Sequence, residues 1–388
     1  MMSTGNANGK TKQETTGLVI SAAPVLVTGA AGYIGSILVR RLLDRGYRVR
    51  VLDRLMYGDD AIRDIFAHPR LEMIVADFRD RMVVAHAVQG VSAVIHLGAI
   101  VGDPACAIDE DFTIGTNFEA TRIIADAAKQ AGVGRFVFGS TCSVYGASAE
   151  MLDETSVLNP VSLYANTKIA AERALLDMRD AAFAPVIMRF ATAYGHSYRP
   201  RYDLAINVMT AKAVKNGQIT IHGGDQWRPF VHVDDIARAL VLALEAPVAK
   251  VAGETFNVGS DEQNHQLKEV GEIIQRLIPR AEVLTNDLVT DKRNYHVQFT
   301  KIRETLGFTP THTLTESIFE MKAALDTGEV LDYQHRRYNN YRFLSQIVHE
   351  VAQQHRPFAT SPIAITSTME QLMFAACDDW GREVDSSR

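Results

Sequence analysis

The sequence predicts an α/β protein, a doubly wound parallel sheet with a smaller C-terminal substrate-binding lobe. Three observations predict it. Short β-branched runs alternate with helix-periodic stretches as far as Phe190, glycines crowd the turn after the first run, and beyond Phe190 the pattern loosens into turn-rich segments.

Residues 1–21 are polar and lack the positive-then-apolar order of a signal peptide, so they read as a disordered leader. Then come the strand-like "PVLVTG", the apolar-periodic "YIGSILVRRLLDRG", and the runs "YRVRVLD", "LEMIVAD", "VSAVIHLGA", "VGRFVFGS" and "APVIMRF". Residues 22–200 form the sheet domain on this reading. Residues 201–228 and 263–330 form the second lobe, with a helix around Asn207 to Lys215 and a turn at "HGGDQWRP". Residues 229–262 return to the sheet through "ETFNVGS", and 331–388 make a helical extension, packed on the second lobe or serving as an oligomer arm.

At 388 residues and 47% hydrophobic, the chain can bury a sizeable core. A formal charge of -6 without a basic stripe gives nucleic acid and anionic membrane no electrostatic handle, and no apolar run is long enough to span a bilayer. Cys106, Cys142 and Cys377 are odd in number and widely spaced, which suits a reducing, cytoplasmic compartment and forms neither a disulfide framework nor a metal cluster.

The chemistry begins at "VTGAAGYIGS", where Gly29, Gly32 and Gly35 join the first strand to the first helix. Such glycines allow a tight turn and bring backbone N–H groups to a pyrophosphate at the helix N-terminus. Asp53 ends the next strand, where a carboxylate accepts from ribose hydroxyls and repels a 2′-phosphate, favouring NAD; the adjacent Arg54 weakens that preference. Asp77 is suited to accept from an adenine amino group or to cap a helix.

Together with "HLGA" (His96 to Ala99), Asn117, the Ser-Thr turn of "GSTCSVYG" and "YANTK", these motifs resemble the extended short-chain dehydrogenases/reductases of the nucleotide-sugar epimerase/dehydratase group, over about Val25 to Thr315. The resemblance implies a Rossmann domain, tightly held NAD, a nucleotide-diphosphate sugar as substrate, and a homodimer formed through helices of the Rossmann part. It implies cofactor contacts from Gly29, Gly32, Tyr33, Ile34, Gly35, Asp53, Asp77, Phe78, Leu97, Ala99 and Asn117, with Tyr164 and Lys168. His96 reads as structural.

In "YANTK", Tyr164 and Lys168 stand one helical turn apart, so that the ammonium, with a nicotinamide ring, would lower the phenol's pKa and make it a usable base. The resemblance makes Thr141 the hydroxyl partner, with Ser140 as second choice. At the next two positions, where sugar 4,6-dehydratases of this group carry an Asp-Glu pair, stand Cys142 and Ser143. A thiol here suggests a 3,5-epimerase, but its register is off by one and the residue matching that enzyme's histidine is Asn207; Cys142 also packs readily as a small hydrophobe. In the second lobe the resemblance gives Arg228 and Arg293 to the diphosphate and Asn207 to phosphate or sugar, with Arg201 and Tyr202 as further candidates. The expectation is an NAD-dependent epimerase acting at C4 of a nucleotide hexose. The alternatives are a 4-ketoreductase, then a dehydratase or 3,5-epimerase, and remotely a non-catalytic NAD-binding regulator.

Overall fold

The β-branched runs become the strands of a seven-stranded sheet, in the spatial order Thr255–Val258, Ala184–Phe190, Arg135–Thr141, Ala93–His96, Val25–Thr28, Val49–Asp53, Leu71–Val75. Every pairing is parallel. The structure, a computed structural model, describes residues 21–286 and 293–354. All but the last residue of the expected leader, residues 355–388 and Cys377 lie outside the described residues.

The chain lays its first three strands outward in one direction, then places Ala93–His96 on the other side of Val25–Thr28. That reversal opens a crevice at the carboxyl ends of these two strands, where ligands bind in open α/β sheets. Thr28 is level with His96 across the crevice, and Thr141 is level with Phe190 further along, so the motifs that follow each strand gather along one edge. Central strands such as Ala184–Phe190 are buried throughout, as strands covered on both faces must be.

The second lobe has its own core, in which Ile206, Ile219, Phe230, Ile274 and Ile318 pack together. Its helix Ala205–Asn216 forms where the periodicity places it and ends at Gly217 in the left-handed conformation. The expected return to the sheet at residue 229 is corrected: Trp227–His232 is a strand of a small sheet, flanked by Thr192–Tyr194 and Asn264–Gln266. The return is made by the helix Val233–Glu245, which packs on Gly35–Asp44, and by the strand Thr255–Val258.

The extension is also placed differently from expectation. Tyr333 joins the second lobe's core, but the helix Asn340–Gln354 crosses to the sheet domain. There Phe343, Leu344 and Ile347 are buried with Met56, Ile100, Cys106 and Phe112, and this group packs against Tyr57 and Tyr164. Burying each of those three side chains is worth about 1.5–3 kcal/mol, sufficient to seat the helix beside the crevice.

Candidate active site

One cleft runs along the crevice, with a volume of about 280 Å³ and walls from both lobes. A roomier cavity of about 550 Å³ lies between Gly259–His265 and Phe308–Thr315 but touches none of Thr141, Tyr164 and Lys168. The chemistry therefore belongs to the smaller one.

The glycine turn forms one end. Gly29 adopts φ +72°, and a Cβ there would stand 2.6 Å from the Gly98 nitrogen; a Cβ on Gly35 would stand 2.2 Å from the Gly29 carbonyl oxygen. The first glycine permits the turn and the last lets the helix pack on it. Asp53 fixes this turn, its carboxylate accepting from the Ala31 amide at 2.9 Å and the Leu55 amide at 2.8 Å. Burial pushes its carboxyl pKa up against these two bonds. Asp77 lines the cleft beside Phe78 and pairs with Arg54 at 3.0 Å and Arg79 at 2.7 Å. Burial works against its charge, but the Arg79 and Arg54 guanidiniums hold its pKa below the usual carboxylate range. The helix cap after it is Asp80.

The hydroxyl turn forms the other end. Thr141 closes the strand Arg135–Thr141, and its side chain accepts from the Ser143 amide at 3.1 Å. The helix Leu163–Asp177, capped by Ser162 accepting from the Ala165 amide, presents Tyr164 and Lys168 to the cleft. Tyr164 and Thr141 both line the cleft, and the Thr141 hydroxyl donates to Ser143 Oγ at 3.1 Å. Lys168 Nζ donates to the Gly139 carbonyl at 2.8 Å and lies 4.6 Å from the Phe138 ring centroid. Burial pushes the ammonium down to about 8.

The phenol departs from expectation. Burial, with Cys106 nearby, raises the Tyr164 pKa; Arg201 and Thr141 oppose that rise without overcoming it. The protein by itself therefore holds a neutral phenol. His96 is structural, as expected: Thr28 Oγ1 lies 2.5 Å from Nδ1 and Thr121 Oγ1 3.0 Å from Nε2, and burial and the Lys168 charge push it down to about 3.

Among the remaining candidates, Tyr33, Ile34, Leu97, Ala99, Ser143, Arg201 and Arg293 line the cleft. Ser140 contributes to the wall, but its hydroxyl donates to Glu172, which pairs with Arg189 at 2.6 Å beneath the floor. Cys142 is fully buried on the core side, its Sγ donating to the Arg189 carbonyl at 3.3 Å, and burial pushes its pKa up. Of the two residues after Thr141, Ser143 reaches the cleft and Cys142 does not.

Four residues expected at a ligand, Asn117, Asn207, Arg228 and Tyr202, do not line the cleft. Asn117 does not line the cleft; its amide accepts from the Ile100 amide at 2.8 Å and donates to the Ile100 carbonyl at 2.9 Å, pinning the wall behind the cofactor position. Asn207 is buried, accepting from the Gly195 amide at 3.0 Å and donating to the Arg201 carbonyl at 2.8 Å. Arg228 also lies behind the wall, donating to the Trp227 carbonyl at 2.8 Å, with its guanidinium 5.6 Å from the Tyr295 ring. Tyr202 packs among the rings of Tyr333 and Tyr338. Conversely, Tyr57, Thr116, Arg199, Tyr295 and Asn340 line the cleft and were not singled out from sequence. Only Arg199 had a signal, as the first arginine of "RPRYD".

The donor set fits a dinucleotide from end to end: backbone N–H groups at a helix N-terminus for the pyrophosphate, Asp53 for a ribose, Phe78 and Asp77 for a base, and Tyr164 with Lys168 at the reactive end. A parallel sheet with this crevice and a Thr-Tyr-Lys set defines a nicotinamide-dependent enzyme of the short-chain dehydrogenase/reductase type.

The comparisons agree. The profile of the NAD dependent epimerase/dehydratase family matches residues 25–259, and the chain belongs to that family. It is 32% identical over 307 residues to the UDP-glucose 4-epimerase of Mycolicibacterium smegmatis (strain ATCC 700084 / mc(2)155), covering 76% of this chain and 95% of that one. It is 29% identical over 309 residues to the dTDP-glucose 4,6-dehydratase of Streptomyces niveus, covering 76% and 90%. Among solved structures, MoeE5 in complex with UDP-glucose and NAD is similar with a TM-score of 0.68 and 30% identity, over 79% of this chain and 100% of that one. The protein is thus an NAD-dependent enzyme of the nucleotide-sugar epimerase/dehydratase family.

Proposed function

We propose that the enzyme is a C4 epimerase of a nucleoside-diphosphate hexose. One observation carries the reading: among the described residues lining the cleft, the only carboxylates are Asp53 and Asp77. Asp53 ends a strand three places from Arg135–Thr141 in the sheet, which at about 4.8 Å per strand is about 14 Å from Thr141. Eliminating water from a sugar needs a group to protonate the departing hydroxyl and another to remove a carbon-bound proton. The hydroxyls around Tyr164 suit neither task, and Cys142 is turned away from the cleft.

What remains is proton exchange at one sugar oxygen. Tyr164 takes the proton of the C4 hydroxyl and gives it back, while Thr141 holds that oxygen through its own hydroxyl. Lys168, one turn along the same helix and fixed on the Gly139 carbonyl, carries positive charge to the reacting end of the cleft. Bound NAD would supply reversible hydride acceptance at the same carbon, so that a 4-keto sugar turning over in the cleft could be reduced on its other face. UDP- and dTDP-sugars, named for the relatives, are the first substrates to try.

The test is turnover of a panel of UDP-, dTDP-, GDP- and CDP-hexoses in deuterated water, with products analysed by NMR. A C4 epimer without carbon-bound deuterium is expected. Deuterium on a ring carbon, or a product lacking the elements of water, overturns the reading. Tyr164→Phe should abolish turnover with NAD still bound; a variant keeping most of its kcat removes the phenol from the mechanism.

A further inference from the structure

We propose that Arg199, held in place by the C-terminal segment, is an anion-binding residue of the cleft whose ligand is a diphosphate. Arg199 is only 7% exposed and lines the cleft. Its guanidinium lies 3.9 Å over the Tyr57 ring, and Nη2 donates to Asn340 Oδ1 at 2.8 Å and to the Arg337 carbonyl at 3.4 Å. Its Nε has no hydrogen-bond partner among the described residues, and neither has the buried hydroxyl of Tyr57 beside it.

The charge balance points the same way. The nearby carboxylate, Asp203, is taken by Arg201 through two bonds of 3.0 and 2.8 Å. No carboxylate pairs with Arg199 among the described residues. Burial pushes Arg199 down to about 10, which still leaves it a cation at neutral pH. A buried cation with a free N–H edge is costly unless an anion meets it, and guanidinium recognises phosphate oxygens well.

Location selects the phosphate class. Two residues upstream, Ser197 Oγ donates to the Tyr33 carbonyl at 2.6 Å, docking this loop on the glycine turn. Two residues downstream, the charge of Arg201 is felt at Tyr164. Arg199 itself lines the same cleft as the glycine turn and the Tyr164–Lys168 end, and both nucleotides expected there carry a diphosphate. Asn340 also donates to the Val101 carbonyl at 3.3 Å, so the C-terminal segment ties the arginine to the opposite wall. The inference rests on the cleft being the nucleotide site and not on which carbon reacts.

The test uses the full-length holoenzyme and Arg199→Gln, with retained NAD measured by chromatography after dialysis and UDP affinity measured by calorimetry. Losing a charged hydrogen bond to phosphate should weaken its ligand by about tenfold to a hundredfold. A fall in retained NAD identifies the cofactor's diphosphate; intact NAD with weakened UDP identifies the substrate's. In either case Arg199→Lys should restore part of the affinity, which a purely structural fork would not allow. Both affinities within twofold of wild type in folded Arg199→Gln overturn the proposal, as does a loss that Arg199→Lys leaves unchanged. Should Arg199→Gln fail to fold, Asn340→Ala, which frees the guanidinium, carries the same readout. Unchanged NAD and UDP binding in that variant then overturns the proposal.

Discussion

Replacing the two neighbours Thr141 and Cys142 separately asks the hydroxyl turn which of its side chains works. In Thr141→Val the shape is kept and the hydroxyl removed. The Ser143 amide loses the acceptor it has at 3.1 Å, a structural cost of about 1 kcal/mol, which moves the thermal midpoint by only a few degrees. The catalytic cost is larger, since a donor aimed at developing oxygen charge is worth about tenfold to a thousandfold in kcat. Cys142→Ala should show the reverse. Its sulfur is fully buried and bonded to the Arg189 carbonyl, so the small void costs about 1–2 kcal/mol of stability, while kcat stays within about twofold of wild type. The assay pairs urea denaturation with steady-state turnover of whichever hexose the panel identifies. If Cys142→Ala loses more than about tenfold in kcat while Thr141→Val keeps its own, the assignment of faces is wrong and the thiol belongs to the chemistry.

Asp53→Ala should weaken NAD and narrow its advantage over NADP, because the glycine turn loses the acceptor of the Ala31 and Leu55 amides as well as its ribose contact; an unchanged ratio by titration would place the ribose elsewhere. Glu172→Ala leaves Arg189 buried and unpaired beneath the Thr141 turn and should cost about 3–5 kcal/mol in denaturant unfolding, whereas a change under about 1 kcal/mol would show that the pair is dispensable. His312 lies 3.0 Å from Asp234, which also binds Arg41 of the glycine-turn helix. The Asp234 hydrogen bond raises its pKa above the ordinary 6.5, so its stabilisation is complete below that value and is lost as pH rises through the folded-state pKa. Wild-type stability should accordingly decline above pH about 6.5, and His312→Gln should flatten that decline; identical pH profiles would refute the linkage.

The sheet was legible because each strand is an apolar β-branched run closed by a glycine or a polar turn, and such runs admit few arrangements. That Tyr164 and Lys168 line one cleft was legible because a spacing of four on a helix fixes a shared face. Chemistry that depends on side-chain direction within an irregular turn was not. From Thr141 the backbone passes from extended to a tight helical turn at Cys142–Tyr145, and no period tells which of Cys142 and Ser143 faces inward. Asparagines were misleading for a related reason. The amides of Asn117 and Asn207 can serve a ligand or a backbone equally well, and only the buried geometry shows that they hold Ile100 and Gly195. Arg199 and Asn340 meet across 141 residues of chain, a distance over which no local pattern carries information. The raised Tyr164 pKa follows from burial, which spacing does not reveal.

The strand Thr255–Val258 covers the outer edge of Ala184–Phe190, and the ribosome must first deliver the roughly 65 residues between them. At about 5–20 residues per second that takes about 3–13 s, during which an almost wholly apolar strand, "APVIMRF", has open N–H and C=O groups along one side. Nascent chains on one messenger stand close together for that interval, each offering the same edge. Misassembly of this enzyme is therefore a hazard of synthesis more than of the finished fold, and its yield in cells should respond to translation speed and to chaperones at the ribosome.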